Sequence, residues 1–274
     1  MRRLLCLFLY SFCLMGCQKY LEAPEKKDQG NDTKPAILIP HTVSINNVVK
    51  GFYSAVPSNY DENSKLYPTL IFIHGAGQYG NGSYDLPLLL NEAVPQLLDE
   101  KKFPPLFHVN GEDVSMLVLV PQFTVQPATH EVIEFIQYAI ENYRIDTNRI
   151  YMTGFSSGGR TLVDVAADFP NRFAAIVPIA GSANYNANEK SQSIAMGNIR
   201  VWAFHNLNDQ LIDHTETKNF IEAIRTFNPG LPARITIFPG YAGTQAHDAW
   251  TRATNPEYRE EGKNIYEWML QFKR

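Results

Sequence analysis

The chain has 274 residues, of which 45% are hydrophobic, and a formal net charge of -4. This length and composition are sufficient for one large α/β domain with a well-buried core. Acidic and basic residues are interspersed along the chain, so no basic face is available for nucleic acid, and we expect no nucleic-acid-binding role.

The N-terminus is shaped like a secretory signal: two arginines precede an apolar run over residues 4–15, which is too short to span a membrane comfortably. The run ends in Leu-Met-Gly-Cys, which resembles the lipobox of bacterial lipoproteins, where the signal is cleaved before a cysteine that is then lipidated. Cys6, Cys13 and Cys17 are the only cysteines of the chain. Cys17 is therefore free for acylation, and the mature domain has no disulfide. An ordinary signal that is cleaved elsewhere is the alternative.

We therefore divide the chain into three segments. Residues 1–17 are predicted to be a lipoprotein signal peptide ending at lipobox Cys17. Residues 18–36 are rich in charged residues, Asn and Pro, which is typical of a flexible tether, and residues 37–274 form the folded domain. Gln18 follows the cysteine where an aspartate commonly retains lipoproteins at the inner membrane. By this resemblance the protein is exported and lipid-anchored to the bacterial cell envelope, at the outer membrane.

Apolar runs and helical patterns alternate along the domain in the order that a mostly parallel α/β sheet with helices on both faces requires. The predicted core strands follow one or two antiparallel strands in residues 43–56 and cover residues 68–73, 116–120, 150–153, 174–181, 199–204 and 234–238. The predicted helices cover residues 87–102, with an interruption at Pro95, 129–143 and 161–169. Residues 182–196 are polar and uneven, and we predict a loop that shapes the substrate pocket.

A Gly-x-Ser-x-Gly motif lies between the predicted strand at 150–153 and the helix at 161–169. This is the setting of a nucleophile elbow, in which a serine occupies a sharp strand-to-helix turn with strained backbone angles. Small residues at Gly154 and Gly158 would let the strand and the helix approach each other. Ser156 is the predicted nucleophile.

The glycine-rich turn after the strand at 68–73 could supply one half of an oxyanion hole. We predict that the backbone N–H groups of Ala76 and Ser157 form it. His74 precedes this turn and also precedes the serine, although the chain order in this type of hydrolase is serine, acid, histidine. We therefore interpret His74 as a residue that braces the loop through hydrogen bonds.

The acid is expected in the loop after the strand at 199–204, where strand ends converge on the elbow. Asp209 is our candidate, and Asp213 is the rival, although its place before the next helix is typical of an N-cap. A metal site built from His205, Asp209, Asp213 and His214 matches no recognised ligand spacing. We expect no metal and no other cofactor.

The base must reach both the nucleophile and the acid. His247 lies in the loop after the last core strand, which places it within reach of Ser156, whereas His214 has no geometric argument in its favour. Asp248 adjoins the candidate base, but neighbouring side chains on an irregular loop seldom hydrogen-bond with triad geometry, and we assign it to stabilising the loop.

Together these residues resemble the α/β-hydrolase superfamily. The resemblance is closest to the branch of secreted carboxylesterases related to polyhydroxybutyrate depolymerases, feruloyl and acetylxylan esterases and prolyl-oligopeptidase-like peptidases. Four segments carry it, namely residues 67–80, 143–181, 201–209 and 247–250. It implies an α/β-hydrolase domain over residues 37–274. By position, Ser156, Asp209 and His247 match the triad, and Ala76 and Ser157 match the oxyanion hole.

The sequence therefore predicts a serine carboxylesterase that acts through an acyl-enzyme on small-molecule or polysaccharide esters. By analogy, the substrate is an acetyl or feruloyl group on plant polysaccharide. A serine peptidase of prolyl-oligopeptidase-like type is one alternative, and a non-catalytic glycan-binding lipoprotein is another. Some aromatic residues could stack on sugar or aromatic rings, although such residues more often line or cap a domain; they are Tyr79, Tyr84, Tyr185, Tyr241 and Trp250.

Overall fold

The computed structural model describes residues 33–181, 187–228, 230–240 and 243–274, without the side chains of residues 243 and 244. The predicted signal peptide with Cys17, most of the predicted tether, and the aromatic residues Tyr185 and Tyr241 lie outside the described residues. Within the described ranges, no helix has the length and apolar character needed to cross a bilayer.

The described chain is built around an eight-stranded sheet. Its strands are β1 (Ile37–Thr42), β2 (Val49–Val56), β3 (Tyr67–Ile73), β6 (Leu117–Phe123), β7 (Ile145–Phe155), β8 (Ala175–Ile179), β9 (Arg200–Asn206) and β10 (Ala233–Phe238). Two short strands, β4 (Phe107–Val109) and β5 (Glu112–Val114), form a separate antiparallel hairpin.

The strands of the large sheet follow the order β1-β2-β6-β3-β7-β8-β9-β10. β1 and β2 are antiparallel to their neighbours, and every other pair is parallel. The mostly parallel sheet and all of the predicted core strands are thus confirmed. The two antiparallel strands are also present, but β1 lies before residue 43, because residues 43–48 form the turn between β1 and β2.

Seven α-helices are described. They are α1 (Ala93–Asp99), α2 (Thr129–Asn142), α3 (Ser157–Asp168), α4 (Ala187–Met196), α5 (His214–Phe227), α6 (Trp250–Ala253) and α7 (Ile265–Met269). Short 3₁₀ helices cover Tyr60–Glu62, Ala76–Gln78, Leu86–Asn91 and Gly243–His247. The helix predicted over residues 129–143 is confirmed, and the helix predicted over residues 161–169 begins four residues earlier than expected.

One loop prediction and one helix prediction were wrong in part. The loop predicted over residues 182–196 contains α4, whose buried face carries Ser191, Ile194 and Ala195. Two of these three residues are small, so the helical pattern was weak in the sequence. The helix predicted over residues 87–102 is split into a 3₁₀ helix and α1. The break falls before Pro95, which lies in the first turn of α1, where its missing N–H costs no hydrogen bond.

Both faces of the sheet are covered. Alternate residues of β3 enter opposite clusters: Ile71 and Ile73 pack with α2 and α3, whereas Leu70 and Phe72 pack with α1 and α7. This double burial explains why the strand reads as a continuous apolar run. It also fixes the carboxyl ends of β3, β7 and β9 on one edge of the sheet, where the polar residues of the candidate site follow.

Candidate active site

Ser156 occupies a sharp turn between β7 and α3. Its backbone angles, φ 53° and ψ -123°, are rare for a residue that carries a Cβ. The conformation is held from both sides, because the Ser156 N–H donates to the Ile179 carbonyl at 3.0 Å and the Ser156 carbonyl accepts from the Arg160 N–H at 3.1 Å. The turn therefore stores backbone strain at the residue that the sequence predicts to be the nucleophile.

Two glycines make this turn possible. A Cβ on Gly154 would lie 2.4 Å from the Ile73 carbonyl oxygen, and one on Gly158 would lie 2.2 Å from the same oxygen and 2.4 Å from that of His74. All of these atoms belong to the backbone and cannot rotate away. The close approach of β3, β7 and α3 thus requires glycine at both positions, as the motif predicts.

Three side chains from separate loops meet at the turn. The Ser156 Oγ lies 2.9 Å from His247 Nε2, and His247 Nδ1 lies 2.6 Å from Asp209 Oδ2. A carboxylate only accepts, so Nδ1 carries the proton and Nε2 of the neutral ring accepts from the serine hydroxyl. The structure therefore brings together the three residues that the sequence singled out, in the chain order serine, acid, histidine.

Asp209 is held by donors on both oxygens. Its Oδ1 accepts from the backbone N–H groups of Leu211 at 2.9 Å and Ile212 at 3.1 Å. Its Oδ2 accepts from His247 and also from His205 Nε2 at 3.1 Å. Burial by itself would raise the pKa of this carboxyl, but the hydrogen bonds outweigh burial and hold the pKa below its usual value. The side chain is thus an anion fixed in one orientation.

The rival residues have other roles. Asp213 is the N-cap of α5 and accepts from the Thr215 N–H at 2.9 Å, with a mostly exposed side chain. His214 follows it on the helix and lies 3.5 Å from the Asp213 carboxylate. Asp248 accepts from the Thr251 N–H at 2.9 Å, which stabilises the start of α6. The assignments of Asp213 as a helix cap and Asp248 as a loop-stabilising residue are confirmed.

His74 braces the turn after β3. It is almost fully buried, and its ring joins two segments: Nδ1 lies 2.8 Å from the Gly75 carbonyl, and Nε2 accepts from the Phe123 N–H at 3.0 Å. Burial lowers the pKa of His74 to about 4, so the ring is neutral at pH 7. The predicted loop-bracing role is confirmed.

The two predicted oxyanion donors begin short helices beside Ser156. Ala76 is the first residue of a 3₁₀ helix and lines the same cleft as the serine. Ser157 is the first residue of α3, where backbone N–H groups have no partner within the helix and the helix dipole favours negative charge. Ala76 thus lies in the cleft and Ser157 directly follows the nucleophile, and the oxyanion role of both N–H groups stays a prediction.

The cleft above Ser156 has a volume of about 300 Å³. Phe155 and Trp250 stack in its wall with ring centroids 4.2 Å apart, and Trp250 also meets the His247 ring edge-on at 5.2 Å. Trp250 is 8% exposed, so most of its ring packs against protein, including His247, and little of it is accessible for stacking on a substrate ring. Of the other aromatic candidates within the described ranges, Tyr79 bonds to Gln126, and Tyr84 is 92% exposed.

Sequence reasoning missed Glu92, the one carboxylate among the described residues that line the cleft. It lies between the 3₁₀ helix and α1, three residues before the predicted interruption at Pro95. Ala93 follows with a positive φ of 55°, so the chain turns directly after Glu92. Burial and the neighbouring charge of Asp248 raise the pKa of Glu92, while His247 opposes that shift. No sequence motif marks this position.

No cluster of three or more metal-ligating side chains occurs among the described residues. His205 and Asp209, two members of the metal site that was considered, are instead hydrogen-bonded to each other.

The strand order, the elbow and the hydrogen-bonded serine, histidine and aspartate define the α/β-hydrolase fold, and solved structures share it. A thermostable esterase superposes with a TM-score of 0.62 at 23% identity, covering 87% of this chain and 63% of that one. A ferulic acid esterase gives 0.57 at 15% identity, covering 81% and 97%. The fluorophosphonate-binding serine hydrolase F of Staphylococcus aureus gives 0.60 at 14% identity, covering 86% and 99%.

Sequence comparisons agree over part of the chain. The model of the prolyl oligopeptidase family matches residues 126–224, which run from the start of α2 into α5 and include the elbow. A bifunctional acetylxylan esterase/xylanase of Neocallimastix patriciarum is 26% identical over 169 residues, which are 62% of this chain and 23% of that protein. The chain thus spans less than a quarter of the length of this curated relative.

Proposed function

We propose that this protein is a serine hydrolase that cleaves carboxylic esters through an acyl-enzyme intermediate. The observation that carries the proposal is the continuous hydrogen-bond chain from Ser156 through His247 to Asp209, built on a strained elbow. A packed domain gains nothing from holding a serine in such a conformation, and strain of this kind persists where it positions a reacting group.

The geometry gives each residue a role. Ser156 Oγ attacks the ester carbonyl while His247 Nε2 takes its proton, and the histidine then returns that proton to the departing alcohol. Water attacks the resulting acyl-serine with His247 again acting as base, which releases the acid and restores the serine. Asp209 holds the ring in the tautomer that exposes Nε2 and stabilises the imidazolium when it forms.

The tetrahedral intermediate needs donors aimed at its oxyanion. The backbone N–H groups of Ala76 and Ser157 are proposed to supply them, since Ala76 lines the cleft at the start of a 3₁₀ helix and Ser157 follows the nucleophile at the start of α3. Backbone donors of this kind need no reorganisation during the reaction, which makes them effective in a partly enclosed site.

For the substrate, we propose an acetyl or feruloyl ester on plant polysaccharide. The support is the name of the acetylxylan esterase relative and of the ferulic acid esterase with the same fold. The N-terminal motif supports a lipid anchor at Cys17 on an exported protein, which would hold the domain at the cell envelope, at the outer membrane. Incorporation of labelled palmitate by wild-type cells and not by cells producing Cys17→Ser tests the anchor.

A serine peptidase is the second candidate, and the match to the prolyl oligopeptidase family model favours it. The same residues would attack a peptide carbonyl, with His247 protonating the departing amine. Proline-containing chromogenic peptides, compared with esters of the same acyl group, separate the two candidates. The ester proposal predicts turnover of the esters alone.

The test of function compares wild type with Ser156→Ala on p-nitrophenyl acetate, methyl ferulate and acetylated xylan. Removal of the nucleophile is expected to lower the rate by about 10³- to 10⁶-fold. If wild type cleaves none of these esters and also resists a fluorophosphonate probe, the proposal fails, and glycan binding without turnover becomes the leading alternative.

A further inference from the structure

A second histidine contacts the acid, and the proposed mechanism leaves it without a role. His205 lies near the end of β9, and its side chain has no exposed surface. Its Nε2 lies 3.1 Å from Asp209 Oδ2, the same oxygen that accepts from His247, and 3.0 Å from the Ile212 carbonyl oxygen. The ring thus joins the carboxylate to the backbone of its own loop.

The surroundings fix the proton on this ring. Both atoms facing Nε2 only accept, so Nε2 carries a hydrogen. Burial lowers the pKa of His205, although the charge of Asp209 opposes that shift, so the ring is neutral and its Nδ1 accepts. The partner of Nδ1 is the Thr217 hydroxyl of α5 at 2.7 Å, and this hydroxyl also lies 3.1 Å from the Gly181 carbonyl oxygen, so two acceptors face its single hydrogen. His205 is therefore a neutral donor on β9 whose ring also contacts Thr217 of α5.

This donor completes the restraint on the acid. Oδ1 of Asp209 is held by two N–H groups of its own loop, so rotation of the carboxylate is limited from one side only. On the other side, Oδ2 has two donors, His247 and His205. His247 takes up and releases a proton at Nε2 during the reaction and lies outside the sheet, in the 3₁₀ helix Gly243–His247, whereas His205 belongs to a core strand. The strand histidine is thus the donor with a fixed position.

We propose that His205 is a positioning residue that holds Asp209 Oδ2 in place for His247 and withdraws negative charge from that oxygen. Through Asp209 it sets both the alignment of the base and how strongly His247 holds its proton. The inference rests on the proposed function of the same site, and it makes a prediction about His247 that can be measured without turnover.

The matched variants are His205→Met and His205→Gln. Both side chains are unbranched and of similar length, but only Gln offers an N–H near the position of Nε2. His205→Met should lower kcat by about 10- to 100-fold with KM within about threefold, because a misplaced base slows the chemical step without changing the cleft. His205→Gln should recover most of that loss.

The second readout is the pKa of His247, followed by NMR of labelled histidine in the Ser156→Ala background. Asp209 with one donor fewer is more negative at Oδ2, so His205→Met should raise the pKa of His247 and His205→Gln should not. Among the described residues, Glu92 interacts electrostatically with both His247 and Asp248, and neither carboxylate is altered in these variants.

Equal kcat and equal His247 titration in wild type and His205→Met would overturn the proposal. Equal loss in the Met and Gln variants would also overturn it, because the ring would then act by its shape alone. If His205→Met does not fold, Thr217→Val removes the partner of Nδ1, together with that hydroxyl's bond to the Gly181 carbonyl, at nearly constant size and must reproduce both effects in weaker form. Absence of ester turnover by wild type refutes the proposed function, while the NMR comparison still tests His205.

Discussion

Replacement of Ser156 by glycine should stabilise the protein relative to replacement by alanine. Both variants lose the same hydroxyl and its hydrogen bond to His247, so they differ only in the Cβ at φ 53°, ψ -123°. For glycine this conformation is the mirror image of an ordinary extended one and carries no strain. For a residue with a Cβ it costs about 1–3 kcal/mol.

The magnitude follows from two opposing effects. Glycine lowers the free energy of unfolding by about 0.4–1 kcal/mol relative to alanine, because it gives the unfolded chain more conformational entropy. The free energy of unfolding of Ser156→Gly should therefore exceed that of Ser156→Ala by about 1–2 kcal/mol. For a domain of this size that corresponds to a rise in Tm of about 2–8 °C. Thermal unfolding followed by circular dichroism, together with urea unfolding, measures the difference. A Ser156→Ala variant that is as stable as Ser156→Gly, or more stable, would refute the assignment of strain to the elbow.

Three further perturbations test other parts of the site. Gly158→Ala should lower the free energy of unfolding by about 3 kcal/mol or prevent folding, because the new Cβ would clash with two backbone oxygens. The control is Gly77→Ala, whose Cβ would have no atom within 4 Å, and it should leave the melting temperature unchanged. Glu92→Gln should raise kcat/KM for p-nitrophenyl hemisuccinate about fivefold relative to p-nitrophenyl butyrate, because the cleft loses its carboxylate, and an unchanged ratio would exclude that effect. Because burial lowers the pKa of His74 from 6.5 to about 4, the unfolded chain binds a proton that the folded one does not, and stability should fall by up to about 3 kcal/mol between pH 7 and pH 4. Urea unfolding of His74→Asn should show a shallower dependence over that interval, and an unchanged one would contradict the assignment.

The elbow was predictable because its determinants are local. The motif spans five consecutive residues, from Gly154 through Ser156 to Gly158, and their spacing predicts the strand-to-helix turn. The core strands were predictable for a similar reason, since double burial in a parallel sheet leaves a continuous apolar run. The acid and the base followed from where strands end, because carboxyl ends of parallel strands share one edge of the sheet.

What the sequence left out depends on contacts between distant segments. Two of the three buried residues of α4 are small, and its burial against α5 is visible only in the fold. Glu92 lines the cleft next to a turn in which Ala93 adopts a positive φ, and no sequence motif predicts that turn. The hairpin β4–β5 was not predicted, although the sequence carries a signal for it. Its turn is Asn110-Gly111, with φ of 54° and 85°, and this residue pair is typical of a tight hairpin turn.

The contact between His205 and Asp209 shows a further limit. The two residues are four positions apart, and their side chains are of types that bind metals, although their spacing matches no recognised metal site. Which histidine nitrogen carries the proton depends on the Ile212 carbonyl in the Asp209 loop and on Thr217 of α5, and the sequence pattern does not show that either residue contacts the ring. Residue types in a short span therefore indicated proximity but did not determine the chemistry.

The central claim is that Ser156 carries the acyl group. Mixing the protein with p-nitrophenyl acetate, quenching with acid within milliseconds and measuring the mass of the digested elbow peptide tests it directly. The account predicts one acetyl group on the peptide that contains Ser156 in wild type, and none in Ser156→Ala at the same time point. Acetylation at another residue, or rapid turnover by Ser156→Ala with no acyl-enzyme in either protein, would contradict it.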